Sequence, residues 1–248
     1  MAQYKKRTVY QILVEAGLVK SKKEALLIAR RNKIVLNDKT ITSLHYQVNP
    51  RKSKIIVNGK EIKLEDKRKY FVFNKPEDLV TTKENILPFL KGKVKSEDLF
   101  SFYPVGRLDK NTTGLLIITN DGRFGNKILN PKQKIPKTYE AVIEGKISDA
   151  VIKKLEEGID IQLEENDGIV KYHTLPSKIK ILSTNKHPIV EIIISEGKKR
   201  QVKRMFEAIN CKVLKLKRVK IGKFELKNLS IGEVKEIPKF ELFKALFE

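Results

Sequence analysis

The sequence predicts an α+β fold in two domains, a small basic module over residues 1–66 and a larger domain over residues 67–248. Short runs with the apolar pattern of strands outnumber the amphipathic helical segments, which is typical of a mainly antiparallel sheet with a few helices. A charged stretch at residues 65–69 indicates the linker between the two parts. Hydrophobic residues make up 40% of the 248 positions, which is enough for a packed core.

Composition restricts the kinds of function that the chain can have. It carries 52 Lys and Arg against 30 Asp and Glu, a formal charge of +22, so we expect a polyanionic partner. One cysteine, Cys211, excludes an internal disulfide and fits a reducing compartment. Three scattered histidines predict no metal site, and no apolar run approaches the ~20 residues of a membrane span. We expect a cytoplasmic monomer with no metal or cofactor.

The N-terminal module is predicted to contain two helices followed by short strands. Apolar spacing predicts a helix over residues 8–16, and Ser21 with Glu24 forms a capping box for a second helix over residues 22–31. The strands are predicted at residues 34–36, 39–41, 55–57 and 60–62. The second helix carries four clustered cations, Lys22, Lys23, Arg30 and Arg31. Because a solvated face would more often alternate charge signs, we interpret this cluster as an RNA contact.

One stretch, residues 104–122, organises the larger domain. It begins as a polar loop that carries Arg107 and Asp109, continues as a wholly apolar run at residues 115–118, and closes on an Asn-Asp-Gly turn. A short apolar run between turn signals predicts a buried central strand. Reactive side chains are commonly held on loops of this kind, next to a rigid element. Taken alone, Asp109 would be interpreted as an ordinary turn residue.

A second cluster of polar residues lies at residues 195–206, where a strand is predicted to lead into a helix. The start of this helix is crowded with cations: Lys198, Lys199, Arg200, Lys203 and Arg204. The helix dipole disfavours cations at that end by ~0.3–1 kcal/mol each. We therefore expect an anion to offset them, and RNA phosphate would serve.

The loop and strand around Asp109 resemble a known catalytic motif. This segment contains Gly-Arg-Leu-Asp at 106–109, followed by Thr-Thr-Gly-Leu-Leu and Asn-Asp-Gly. The combination is similar to the motif of the RsuA/RluB branch of ribosomal RNA pseudouridine synthases. The resemblance implies that Asp109 is the catalytic residue, acting as nucleophile or as base. An upstream Lys-Pro also fits, but Asp78 stands where the family usually has Gly. Asp tolerates a left-handed backbone better than most residues, so we expect the turn to form.

The resemblance also implies roles for residues outside this motif. Tyr139, in a Lys-x-Tyr pattern, would stack on the target base, and Lys203, after the Gln-Val pair, would pair with Asp109. Arg107 is a candidate for filling the space that an extruded uridine vacates. Arg200 stands where many members have His, so an acid or base role at that position is not carried over.

The N-terminal module has a resemblance of its own. Residues 13–25, with a later Val-Asn-Gly-Lys, are similar to the S4 RNA-binding domain, which implies an αL-type fold that grips structured RNA with its basic second helix. Together the resemblances predict an isomerase that converts a uridine of ribosomal RNA to pseudouridine without cofactor or metal. Its partner would be ribosomal RNA or a pre-ribosomal particle, with the large subunit slightly favoured.

Two alternatives follow from the same residues. A non-catalytic S4-type RNA-binding or ribosome-assembly factor would explain the charge equally well, but affinity for RNA alone needs no carboxylate facing phosphate. A DNA-binding regulator could use the basic helix at residues 22–31 in a groove, although nothing in the sequence predicts paired half-site contacts.

Overall fold

The first of two compact units, Met1–Lys67, combines two helices with short strands. The computed structural model of the protein describes residues 7–31, 33–49, 53–62, 68–165 and 168–248, so most of the predicted linker lies outside the described residues. The helices of this unit are α1 (Val9–Glu15) and α2 (Lys22–Arg30). Its strands are β1 (Arg7–Thr8), β2 (Ile34–Leu36), β3 (Lys39–Thr40), β4 (Gln47–Val48), β5 (Ile55–Val57) and β6 (Lys60–Glu61).

The sheet of this unit has the order β3-β2-β5-β6, and its apolar side chains share one core with the two helices. Ser21 caps α2 by accepting a hydrogen bond from the amide of Glu24, but the Glu24 carboxylate accepts from the amide of Lys20 and not from that of Ser21, so only half of the predicted capping box forms. Ala25 and Ala29 lie one turn apart on the same side of α2, and that side faces the core. The four predicted RNA-contacting cations of α2 are all exposed: Lys22, Lys23, Arg30 and Arg31.

The second unit, Arg68–Glu248, is built on a nine-stranded sheet. Its strands are β7 (Tyr70–Lys75), β8 (Tyr103–Val105), β9 (Thr112–Thr119), β10 (Lys137–Glu144), β13 (Lys178–Ser183), β14 (Ile189–Ile194), β15 (Lys212–Ile221), β16 (Phe224–Glu225) and β17 (Val234–Glu236). The main order is β13-β14-β10-β15-β9-β7-β17, with β8 pairing β9 and β16 pairing β15. All pairs are antiparallel except β15 with β9, so the predicted α+β class and mainly antiparallel sheet are confirmed.

The remaining elements of this unit lie around the sheet. The helices are α3 (Lys83–Ile86), α4 (Gly122–Leu129), α5 (Asp149–Glu157), α6 (Gln201–Glu207) and α7 (Lys239–Phe247). A separate hairpin is formed by β11 (Asp160–Glu165) and β12 (Gly168–His173). In the part of the chain that the structure describes, no helix has the length and apolar character of a membrane-crossing segment.

Strand β9 lies inside the sheet, between β7 and β15, and separates two cores. Residues 115–118 are fully buried, which confirms the predicted central strand. Leu116 and Ile118 face one core, together with α6, and Leu115 and Ile117 face the other, together with α4 and α7. The first of these faces also carries Tyr139 and is called the Tyr139 face below.

Candidate active site

The loop that carries Asp109 joins β8 to β9 and is held on both sides of that residue. Thr81, which is 5% exposed, donates to the carbonyl of Leu108 at 2.7 Å and accepts from its amide at 3.2 Å. Lys75 donates to the carbonyl of Lys110 at 3.2 Å. Two side chains from outside the loop therefore fix the backbone on either side of Asp109.

Lys75 is a fully buried cation beside this loop. Its ammonium donates to three backbone carbonyls, those of Pro76 (2.8 Å), Leu79 (2.7 Å) and Lys110 (3.2 Å). Burial lowers the pKa of Lys75 to about 8, although the negative charges of Asp109, Asp78 and Glu77 act to raise it. Asp78 adopts the expected left-handed backbone, with φ of 61°. The turn after Pro76 thus forms and delivers two of the carbonyls that Lys75 binds.

The Asp109 side chain is half-buried, and its carboxylate is called open below because no described residue hydrogen-bonds to it. The backbone carbonyl of Asp109 accepts from the amide of Thr112 at 3.0 Å, which closes the turn into β9. Among the described residues, the carboxylate has no hydrogen-bond partner and no cation within 4.0 Å. Arg107 is exposed, and neither it nor Lys203 pairs with Asp109 in this structure. The charge of Asp109 acts instead on Lys75, where it raises the pKa against the effect of burial.

Four neighbouring strands place one residue each in a row across the Tyr139 face. Tyr139 on β10 is opposite Arg218 on β15, Arg218 is opposite Gly114 on β9, and Gly114 is opposite Lys75 on β7. Three strand spacings separate the ends of this row, or about 14 Å. Gly114 has φ of 102°, and a Cβ there would lie 2.2 Å from the carbonyl oxygen of Arg218. Only glycine allows this close approach.

Tyr139 belongs to the core on its face of the sheet. It is 8% exposed, and its hydroxyl makes no hydrogen bond to any residue in the described part of the chain. Leu108, immediately before Asp109, packs in the same core. The register of the sheet and this shared core therefore bring Tyr139 and the Asp109 loop to one face.

The cations at the start of α6 have partners within the protein. Lys199 pairs with Glu164 of β11 at 2.8 Å, and Arg204 approaches the same carboxylate at 3.5 Å. Arg200 pairs with Glu207 at 3.5 Å. The chain itself thus supplies carboxylates for three of the cations that the sequence argument assigned to RNA phosphate.

Two further cations complete this cluster. The Lys198 ammonium lies 4.4 Å from the ring centre of Tyr172. Arg200 has a left-handed backbone, with φ of 54°, so the helix begins one residue after it. Lys203 is the one cation of the five for which the described residues offer no ion pair or ring contact. It is half-buried on α6.

A carboxylate that sequence reasoning missed fixes the start of α6. Glu196 accepts hydrogen bonds from the Tyr172 hydroxyl, from the Leu175 amide at 2.9 Å and from Gln201 at 2.6 Å. Gln201 is 3% exposed and accepts in turn from the Lys198 amide at 2.9 Å. The hydrogen bond to Glu196, with burial, raises the pKa of Tyr172 to about 12. The only indication of this arrangement in the sequence is Gln201, a polar residue within the apolar face of the helix.

Two features of the Asp109 region bear on the chemistry that it can support. A half-buried carboxylate with no partner among the described residues lies on an anchored loop, and an aromatic side chain lies on the same sheet face. In the described residues no three His, Cys, Asp or Glu side chains are close enough together to hold a metal ion. Such a site suits chemistry performed by a single carboxylate on a polyanionic substrate, as in the RNA-modifying isomerases.

Comparison with known proteins identifies the family. Residues 69–208, more than half of the chain, match the family described as RNA pseudouridylate synthase. The chain belongs to this family of isomerases, as the motif around Asp109 indicates. Its sequence is 36% identical to ribosomal large subunit pseudouridine synthase B of Bacillus subtilis, covering 94% of this chain and 92% of that protein.

A second relative and a solved structure extend the comparison. Ribosomal small subunit pseudouridine synthase A of Vibrio vulnificus is 33% identical, covering 90% of this chain and 92% of its own length. A crystal structure of a pseudouridylate synthase superimposes with a TM-score of 0.63 at 28% identity, covering 97% of this chain and 99% of that one. Sequence and fold therefore agree over nearly the whole chain.

Proposed function

We propose that this enzyme converts a specific uridine of ribosomal RNA to pseudouridine, with Asp109 as the catalytic carboxylate. The observation that carries the proposal is the open Asp109 carboxylate on a loop fixed by Thr81 and Lys75. The reaction breaks the C1′–N1 glycosidic bond, turns the uracil and joins C1′ to C5; the C5 hydrogen leaves as a proton and N1 takes one up. Product and substrate are isomers, so neither oxidant nor water is consumed.

The open carboxylate supports either role for Asp109. Because no described residue donates to its oxygens, its lone pairs are available to attack C1′ as a nucleophile or to remove a proton as a base. Anchoring of the loop supports both roles, because a misplacement of about 1 Å can lower a rate ~100-fold.

Residues around Asp109 fit the steps before the chemistry. A uridine in structured RNA must leave its stack, which costs a few kcal/mol. Arg107 is exposed two residues before Asp109 and is suited to fill the vacated space. Tyr139, which is 8% exposed, would stack on the extruded base once its ring is uncovered, and such stacking contributes about 1–3 kcal/mol. Lys203 on α6, which does not pair with Asp109 in this structure, would contact the RNA or the Asp109 charge once substrate is bound.

RNA beyond the target uridine would meet the basic residues outside the catalytic loop. We assign the first unit as an S4-like RNA-binding domain, because the cations of α2 are exposed. Arg200 and Arg204 would bind RNA only by exchanging the carboxylates of Glu207 and Glu164 for phosphate. The relatives named above act on either ribosomal subunit. The higher identity to the large-subunit enzyme supports large-subunit RNA as the substrate. The reaction would take place in the cytoplasm.

The decisive experiment replaces Asp109 with Asn. The amide has nearly the same size but cannot act as a nucleophile or base, so tritium release from RNA carrying tritium at uridine C5 should stop. RNA affinity and the unfolding midpoint should stay close to wild type, since the carboxylate has no protein partner among the described residues. An Asn variant that still releases tritium would contradict the role of Asp109.

The same assay separates the enzyme from a non-catalytic binding factor. If the wild-type protein binds ribosomal RNA but releases no tritium from any fragment, the binding factor is the correct interpretation. Mapping pseudouridines in ribosomal RNA with and without the protein identifies the subunit and the uridine.

A further inference from the structure

Two cations, one on β10 and one on β15, lie beside Tyr139. Lys137 precedes Tyr139 by two positions on β10, so both side chains are on the same face of the sheet. Arg218 is directly opposite Tyr139 on β15. Lys137 is half-buried and Arg218 is 5% exposed. Neither position is an ordinary solvated lysine or arginine site.

The hydrogen bonds of the two cations are incomplete. Lys137 donates to the backbone carbonyl of Ile135 at 3.1 Å, and Nε of Arg218 donates to the carbonyl of Leu115 at 2.7 Å. The Nη2 atom of Arg218 is buried and has no hydrogen-bond partner among the described residues. A buried charged donor without an acceptor costs stability, so such a group in a native protein requires an explanation.

The surroundings do not supply a full counter-charge for the pair. Burial lowers the pKa of Lys137, the Arg218 charge lowers it further, and Glu196 opposes both effects. The oxygens of Glu196 are already engaged by Tyr172, Leu175 and Gln201. The carboxylate whose charge acts on Lys137 is therefore committed elsewhere, and neither Lys137 nor Arg218 has an ion pair among the described residues, so the region beside Tyr139 keeps an excess of positive charge.

We propose that Lys137 and Arg218 form a phosphate subsite that binds a phosphodiester adjoining the uridine stacked on Tyr139. The inference rests on the proposed function and names a further part of the substrate site. A base held on Tyr139 brings its own phosphates to neighbouring side chains, because they are covalently joined. Arginine presents N–H donors in a planar fork that suits phosphate oxygens, and lysine adds a point charge.

The test uses Lys137, because Arg218 is buried in the sheet and its replacement could unfold the protein. Lys137→Met should weaken binding of a modifiable ribosomal RNA fragment about 10- to 100-fold, as expected for removal of a charge-assisted hydrogen bond. Lys137→Arg should restore most of the affinity. Lys217→Met is the matched control, since Lys217 is half-buried on β15 but lies on the opposite face, across from Glu140.

A second change, made in the RNA, separates contact with phosphate from a structural role. Replacing one phosphate next to the target uridine with a neutral methylphosphonate should weaken wild-type binding at least as much as Lys137→Met does, because the Arg218 contact is weakened as well. The two changes together should cause no further weakening, whereas the effect of Lys217→Met should multiply with the methylphosphonate effect. Independent, multiplying effects for Lys137→Met at both neighbouring phosphates would overturn the subsite.

Failure of the subsite and failure of the proposed function give different results. If wild-type protein forms no pseudouridine in the unmodified fragment, the proposed function fails. If it does, and the Lys137 and methylphosphonate effects are independent, only the phosphate subsite is wrong.

Discussion

Thr81 and Lys75 hold the backbone on either side of Asp109 without bonding to its carboxylate. Thr81 lies 27 positions before Leu108, and Lys75 lies 35 positions before Lys110. Their hydrogen bonds end on backbone atoms, which every residue type has, so no side-chain pattern in the sequence indicates the pairing. Asp109 can be located from its sequence because its motif is contiguous. The residues that position it become visible only in the fold.

A pH-dependent stability test follows from the buried ammonium of Lys75. Its pKa is about 8 in the fold against an ordinary 10.5, so the unfolded chain binds more protons between these values. This residue therefore adds stability as the pH rises from 8 to 10.5. The unfolding free energy of wild type should rise over this range relative to Lys75→Met, as measured by urea titration at several pH values. Parallel pH curves for the two proteins would contradict the lowered pKa.

At the scale of elements, most strands of the second unit are predicted from their apolar pattern, and the differences have physical causes. β8 contains Pro104, which is a poor signal for a strand because proline lacks an N–H donor. It is tolerated because β8 pairs only with β9 among the described strands. The parallel pairing of β9 with β15 joins residues about a hundred positions apart, and no local pattern specifies it.

Asp121 connects several elements through its carboxylate, a role that the Asn-Asp-Gly turn motif does not reveal. It is 4% exposed, caps α4 through the amides of Arg123 and Phe124, and accepts from the Tyr70 hydroxyl on β7 and the Lys239 ammonium on α7. Burial opposes its ionisation, but these hydrogen bonds prevail and its pKa is lowered. The Asn-Asp-Gly turn thus ties three elements together.

Replacing Asp121 with Ala should lower the unfolding free energy by about 2 kcal/mol or more, because the variant lacks both a helix cap and the partner of a buried hydroxyl. Since the folded pKa is below the unfolded one, the ionised carboxylate stabilises the fold above the unfolded pKa, and this contribution disappears as pH falls through the folded pKa. Urea titration at neutral and acidic pH measures both effects. Asp149→Ala, at the exposed start of α5, is the control and should cost about 1 kcal/mol or less. Equal destabilisation of the two variants would contradict the proposal that Asp121 connects these elements.

At the scale of the whole molecule, the cations behind the net charge of +22 are of two kinds: exposed cations and cations paired with carboxylates of the protein. Composition predicts a polyanionic partner but does not distinguish the two kinds. At α6, Glu164 and Glu207 neutralise cations that the sequence presents as open. On α2 the four cations are all exposed. The electrostatic attraction of RNA should therefore depend more on α2 than on the start of α6.

Salt dependence tests this division. Changing the four α2 cations to Gln, at positions 22, 23, 30 and 31, should weaken RNA binding at low salt. The slope of log K against log salt should become shallower by roughly 0.7–0.9 for each phosphate that the variant no longer neutralises. The control removes the same charge from four exposed lysines of the second unit: Lys153, Lys154, Lys178 and Lys180. A slope that changes equally in both variants would show that overall charge, rather than α2, sets the affinity.

The pairing of β15 has a consequence for shortened forms of the enzyme. Of the described strands, β15 alone joins β10 to β9, and it begins at Lys212, beyond the segment 69–208 that matches the family. A fragment cut to the matched segment would carry Asp109 and Tyr139 on two pieces of sheet with no hydrogen bonds between them. The boundaries of a workable truncation must therefore be drawn from the strand order, and must retain residues that the family match omits.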